Sequence, residues 1–529
     1  MSEAHADTRA EVAVIGAGIG GLSAAVRLAA AGADVALIEA QGYPGGKMRT
    51  LPSAAGPVDA GPTVLTMKPV FEALFAAAGA RLEDHVTLIP QPILARHWWP
   101  DGGTLDLFPD TQASAHAIGT GFGAKAAREF LAFDARMAQA LAAFEAPMML
   151  SPRPAPMAAA RAMATRPGLW PLMAPGRSLA ALLKAHFTDP RLRQLFGRYS
   201  TYVGGTPTHS PAVLGLIWRA EAAGVWAVQG GMHALAQALA GLFETLGGRL
   251  YLNAPVAGLD IASGALTGMR LADGRRVSCR QAVFNGDPAA LVAGLMGEDA
   301  RRAILPAATE PRALSARVWT FAAEATGAPL THHNLFFADT EAAEFAPLDR
   351  GEAPSDPTVY ICAQDRKTGP ANGPERFQFI LNAPALAKGA APDPAEATAC
   401  LTQTLTRLSR FGLRFSPEPT AEALTMPQHF AALFPGSRGA LYGRSPHGAL
   451  APFLRPTART KVTGLYLAGG GAHPGAGVPM AALSGANAAQ AVLLDRTSRS
   501  PISRSTSART AMPGGISTPS ATTAPARSR

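Results

Sequence analysis

Few side chains in this chain of 529 residues could do chemistry unaided. Cys279, Cys362 and Cys400 are far apart and odd in number. That usage fits neither a disulfide framework nor a metal site, and it suits a reducing cytoplasm. His332 and His333 are adjacent, and neighbours on a strand point to opposite faces, so no metal is expected there. The sequence has no zinc motif, no nucleophile elbow and no Cys/His pair with motif support. The chemistry is therefore expected from a bound group, and the residues that could hold one are glycines. They fall in three remote segments: Gly16, Gly18, Gly20 and Gly21; Gly45 and Gly46, followed by Lys47; and Gly469, Gly470 and Gly477, followed by Val478, Pro479 and Met480.

The flanking patterns aim these segments. Val12-Ala13-Val14-Ile15 reads as a buried strand, residues 22–31 as a helix, and 35–38 as a second strand that ends on Glu39. Strand, glycine turn and helix present free N–H groups and a positive dipole end to a pyrophosphate. Gly16 permits the turn, Gly18 makes room for the phosphate, and Gly21 lets the helix pack closely on the sheet. Glu39 follows Gly21 by 18 residues and can accept hydrogen bonds from an adenosine ribose. A glycine loop so soon after the acid favours FAD, which needs more wrapping, over NAD. Near the other end a strand at 464–468 runs through a glycine loop into a helix over 481–494, again aiming N–H groups at phosphate or flavin. All three segments are expected to meet around one FAD.

Asp59-Ala60-Gly61-Pro62-Thr63 completes a set that resembles the flavin amine oxidase superfamily. Within it, the chain resembles the bacterial phytoene-desaturase type of carotenoid desaturase over residues 11–494. Residues 59–67 with 95–102 resemble the group that acts on 1-hydroxy and 1-methoxy carotenoids. The resemblance implies an FAD-dependent oxidoreductase that introduces a C3,4 double bond. A phytoene desaturase, a carotenoid isomerase and, further off, an amine oxidase share the fold. It also implies that Gly61, Pro62 and Thr63 lie at the cofactor, that residues 230–232 lie close to the flavin, and that Val256 approaches the adenine. His97, in the subfamily-like segment, and His332 are the candidates to face substrate. Asp134, on the helix placed over the channel, is the candidate proton acceptor. The implied partners are a long apolar carotenoid and, with no second dinucleotide motif for NADPH, oxygen or a membrane quinone as electron acceptor.

Composition sets outer bounds. Apolar residues make up 48% and charged residues 16%, with no apolar run near the ~20 residues of a spanning helix. Met1–Ala10 is polar and shows no secretory signal. The net charge of +9 is mostly tail: residues 496–529 hold six Arg and no acid, leaving 41 Lys and Arg against 38 Asp and Glu before them. That tail is expected to be disordered and neutral in role, so nucleic acid is not an expected partner. Residues 146–200 are rich in methionine (Met148, Met149, Met157, Met163, Met173) and carry eight basic residues against one acid. This composition suits docking on the cytoplasmic surface of an anionic membrane. The expected fold class is α/β. A Rossmann-type FAD-binding domain is assembled from residues 1–75, 226–300 and 426–495. It carries a helical membrane-facing region over 76–225 and an inserted α+β substrate-binding region over 301–425.

Overall fold

The computed structural model describes residues 8–173, 176–371, 373–389 and 394–499; the tail expected to be disordered lies, beyond residue 499, outside the described residues. A helix, Val478–Arg499, carries the chain four residues past Asp495.

Five parallel strands form the nucleotide sheet in the order Arg249–Tyr251, Val35–Ile38, Val12–Ile15, Gln281–Phe284, Leu465–Leu467. The last four are buried along their whole length, which is why, Gln281 aside, they read as apolar runs. Val12 and Val14 face the helices Ile19–Ala30, Met232–Thr245 and Val478–Arg499. Ala13 and Ile15 face a four-stranded sheet that includes Val256–Ala262 and Ala265–Leu271. Strands from residues 12 to 467 thus close one layer, and the glycine turns gather at its carboxyl edge.

A second, eight-stranded sheet runs in the order Arg414–Ser416, Ser315–Thr326, Glu375–Ala383, Val359–Ala363, His333–Phe336, Ala95–Trp98, Thr104–Leu107, with Leu424–Thr425 on Ser315–Thr326. Its last two strands come from the stretch that the sequence assigns to the helical region. The hairpin crosses over because Asn334, Leu335 and Phe336 pair in parallel with Arg96, His97 and Trp98. Above this sheet lies a helical layer. Its main helix, Ala124–Phe144, buries Phe130, Phe133 and Met137 among Phe187, Phe196 and Trp218. Asp110, Ser178 and Asp189 cap three helices of this layer, Thr111–Phe122, Leu179–His186 and Pro190–Gly197, with their side chains.

Candidate active site

The three glycine segments touch. The Gly45 N–H donates to Ala17 O at 2.8 Å, and Gly18 and Gly45 form a parallel bridge. A Cβ on Gly20 would lie 2.6 Å from Gly469 N, so a side chain at Gly20 would force the first and third segments apart. A Cβ on Gly21 would stand 2.0 Å from Gly16 O. That residue is therefore required by the turn itself, where the sequence reading had it serve helix-to-sheet packing. Asn285, which the sequence did not single out, stands at the centre. Its Nδ2 donates to Gly16 O at 3.0 Å, and its Oδ1 faces both Gly20 and Gly469. Its one sequence signal is its place directly after the strand Gln281–Phe284.

Helix Ile19–Ala30 begins at Gly18 with no side-chain cap and no acid in its first turn, which leaves its leading N–H groups for an anion. Glu39 lies beside it. One carboxylate oxygen accepts from Ala17 N at 2.6 Å and the other from Gln41 N at 2.9 Å. Burial raises the Glu39 carboxyl above its ordinary range, against those N–H donors. Ala254 N donates to Glu39 O, and Val256 packs in the cluster of Ile15 and Ile38. Uncapped helix, glycine cradle and acid fit the pyrophosphate and ribose of FAD. Lys47, which follows Gly46, has its side chain engaged by protein. Its Nζ donates to Leu441 O above the Phe434 ring, and burial lowers its pKa to about 8.

Asp59 to Thr63 joins this cradle to the second sheet. Asp59 accepts from Met232 N at 2.7 Å and so caps helix Met232–Thr245, whose N-cap, Gly231, has no side chain. Gln364 clamps the Asp59 backbone from both sides, and Gln378 donates to Gly61 O at 2.8 Å. Thr63 Oγ1 meets Tyr360 Oη at 2.8 Å, and Tyr360 Oη meets His333 Nδ1 at 2.7 Å.

Against these loops opens a cavity of about 1290 Å³. Pro62, Thr63 and residues 474–480, with Val478, Pro479 and Met480, line it on the side of the glycine loops, the end where a cofactor held by those loops would meet it. Leu335, Tyr360 and Ile380 of the second sheet form one wall, and Met148, Met149 and Met163 of the helical layer another. The methionine-rich segment therefore faces inward as well as outward: Leu150, Met157 and Trp170 are exposed. Arg455 also lines the cavity. It donates to Gly470 O and Tyr442 O, and burial lowers its pKa to about 10.

The remaining sequence candidates lie elsewhere. The Asp134 carboxylate is held by Trp218 Nε1 at 2.8 Å and Arg219 at 2.6 Å, away from the cavity lining. His97 is fully buried between Trp99 and Phe337, with Nδ1 on Leu105 O, and does not line the cavity. His332 lines a small separate pocket with Asp59 and Cys362. It stands just before the strand His333–Phe336, so strand alternation does not apply there. The two imidazole centroids are 4.4 Å apart, and the donor atoms of His332, His333 and Cys362 lie within 4.8 Å of one another. The geometry that alternation argued against is present. Burial lowers the His332 pKa to about 4 and raises the Cys362 thiol to about 12.

Comparison with known proteins places this architecture. Residues 19–312 match the family Flavin containing amine oxidoreductase. The chain belongs to this family and is an FAD-dependent oxidoreductase. It is 54% identical over 491 residues to the hydroxyneurosporene desaturase of Cereibacter sphaeroides, covering 93% of this chain and 99% of that protein. The hydroxyneurosporene desaturase of Rhodobacter capsulatus is 50% identical, with 92% and 98% covered. Among solved structures, a redesigned putrescine oxidase matches at TM-score 0.57 and 16% identity, with 92% and 99% covered. A fatty acid isomerase from P. acnes matches at TM-score 0.54 and 13% identity, with 92% and 98% covered. These two speak for the fold alone.

Proposed function

We propose that this chain is a carotenoid desaturase that introduces a C3,4 double bond into 1-hydroxy and 1-methoxy carotenoids. The observation that carries the reading is identity of half or more, over nearly the full length, to relatives named hydroxyneurosporene desaturase. The largely apolar cavity beside the glycine loops supports it, because a polyene offers little but hydrocarbon to recognise.

FAD, when bound, supplies the hydride acceptor. The chain's residues do the rest. Gly16 to Gly21, Glu39, Gly45, Gly46, Gly61 to Thr63, Val256, Gly469, Gly470 and residues 477–480 hold and orient the cofactor. The cavity walls exclude water and align the polyene. A proton must also leave the neighbouring carbon. The polyene spreads the developing positive charge, so a weak acceptor suffices, and the Tyr360 hydroxyl, hydrogen-bonded to Thr63 and His333, stands on the cavity wall. Asp134 Oδ1 accepts from both Trp218 and Arg219 and its Oδ2 from Thr111 Oγ1, and we assign it to holding these helices together.

The reading extends to peripheral docking on the cytoplasmic membrane surface. Leu150, Met157 and Trp170 are exposed beside Arg153, Arg161 and Arg166, on the segment that also lines the cavity. Among the described residues no helix is long and apolar enough to cross a membrane. Oxygen or a membrane quinone would reoxidise the flavin.

The test is product identity on co-expression with a pathway that makes 1-hydroxyneurosporene. The expected product has one more conjugated double bond. Conversion of phytoene, with the hydroxylated carotenoid untouched, would overturn the reading.

A further inference from the structure

The cavity holds one deeply buried carboxylate. Glu344, on the helix Glu341–Asp349, is 3% exposed and lines the cavity together with Thr358 and Asn382. Asn382 Nδ2 donates to Glu344 Oε1 at 2.8 Å, and Thr358 Oγ1 donates to Oε2. Thr358 itself accepts from Ala338 N at 3.2 Å, so its only proton is committed to Glu344. A carboxylate has about four acceptor positions, and these donors take two of them. The rest have no use for a bare polyene.

Several other polar groups on the wall are engaged or near the surface; Ser210, buried and with no hydrogen-bond partner for its hydroxyl among the described residues, is the exception, and it carries no charge. Arg198 and Tyr202 close on Glu221 at 3.1 and 2.6 Å. Asp349 accepts from Thr206 at 2.5 Å, beside His209, whose side chain is half exposed. Position favours Glu344 as well. Asn382 follows Ile380 by two residues on the same face, and Ile380 is the register partner of Tyr360. Two residues of strand span about 7 Å, so Glu344's partner sits one step along the wall from the Tyr360–Thr63 contact at the cofactor end. In a 1-hydroxycarotenoid, C3 and C4 lie two and three carbons from the hydroxyl-bearing C1. A hydroxyl held at Glu344 therefore leaves that bond next in line toward the glycine loops.

The geometry points to Glu344 as the specificity-determining residue: its carboxylate accepts a hydrogen bond from the terminal tertiary hydroxyl of the substrate. This rests on the desaturase reading proposed above. Burial raises the Glu344 carboxyl above its ordinary range, and Thr358, Asn382 and the Arg407 charge oppose that shift by favouring its charged form.

The test uses the FAD-loaded full chain, as wild type, Glu344→Gln and Glu344→Leu, with 1-hydroxyneurosporene and neurosporene as probes. Binding is read from the shift of the polyene absorption, and turnover from product. Wild type is expected to bind the hydroxylated probe about 10- to 100-fold more tightly, the range of a buried hydrogen bond to a charged group. E344L is expected to erase that preference, and E344Q to keep part of it, with flavin content near wild type and a lower melting temperature in E344L, where Thr358 and Asn382 lose their acceptor. The same preference in wild type and E344L would overturn the inference, and wild-type turnover of the hydroxylated probe would leave the desaturase reading standing. If E344L does not fold, E344Q decides alone: an unchanged preference overturns the inference, a reduced one supports it. A wild type that neither prefers the hydroxyl nor turns it over would overturn both.

Discussion

Tyr360, part-buried on the cavity wall, hydrogen-bonds on both sides, to Thr63 at 2.8 Å and to His333 at 2.7 Å. Tyr360→Phe strands both partners and is expected to cost about 1–3 kcal/mol of stability, read by denaturant unfolding. The buried histidines make a second residue-scale prediction. His332 and His447 are both lowered to about 4 by burial, against an ordinary value of 6.5. Between those values the unfolded chain binds more protons than the folded one, so stability rises with pH across that window and falls on acidification. Each shift is worth on the order of 3 kcal/mol. Melting temperatures from pH 7 down to 4 are expected to drop steeply, and His332→Gln to flatten the slope. An unchanged slope in that variant would contradict the buried, neutral imidazole. The chemistry-bearing residues were the least legible part of the sequence. His97 and Asp134 sit in suggestive local motifs, yet each is consumed by packing partners far away in the chain, Phe337 and Trp218. Glu344 and Tyr360 carry no local signal, because their roles exist only where a helix and two strands meet.

At the scale of elements, the glycine turns hold the layers together. Gly20→Ala would set a Cβ 2.6 Å from both Gly469 N and Asn285 Oδ1. A loss of about 1–3 kcal/mol and a large fall in bound flavin are expected, measured by melting and by visible absorbance of the purified protein. Asp59→Ala removes the cap of helix Met232–Thr245 and is expected to cost about 1–2 kcal/mol with a smaller effect on flavin content. The nucleotide sheet was legible because its strands are short, apolar and bounded by glycine, and each neighbours a turn with its own chemistry. The place of the hairpin Ala95–Trp98 and Thr104–Leu107 in the second sheet was not, since its strand partner lies more than 200 residues away in the chain.

For the whole molecule, one segment does two jobs. Residues 146–170 line the cavity with Met148, Met149 and Met163 and expose Leu150, Met157 and Trp170 to the outside. An apolar substrate could then pass from a bilayer to the cavity without crossing bulk water. Replacing Arg153, Arg161 and Arg166 with Glu is expected to lower co-sedimentation with anionic liposomes by more than tenfold, at about 1 kcal/mol per cation removed. Unchanged co-sedimentation would end the docking proposal. The most direct measurement of the central claim is an anaerobic one. Purified FAD-loaded protein is mixed with 1-hydroxyneurosporene while the flavin and polyene absorption bands are followed together. The proposed function predicts that the flavin band bleaches as the polyene band moves to longer wavelength, with the two changes in equal amounts. A flavin that stays oxidised while the carotenoid binds unchanged would contradict it.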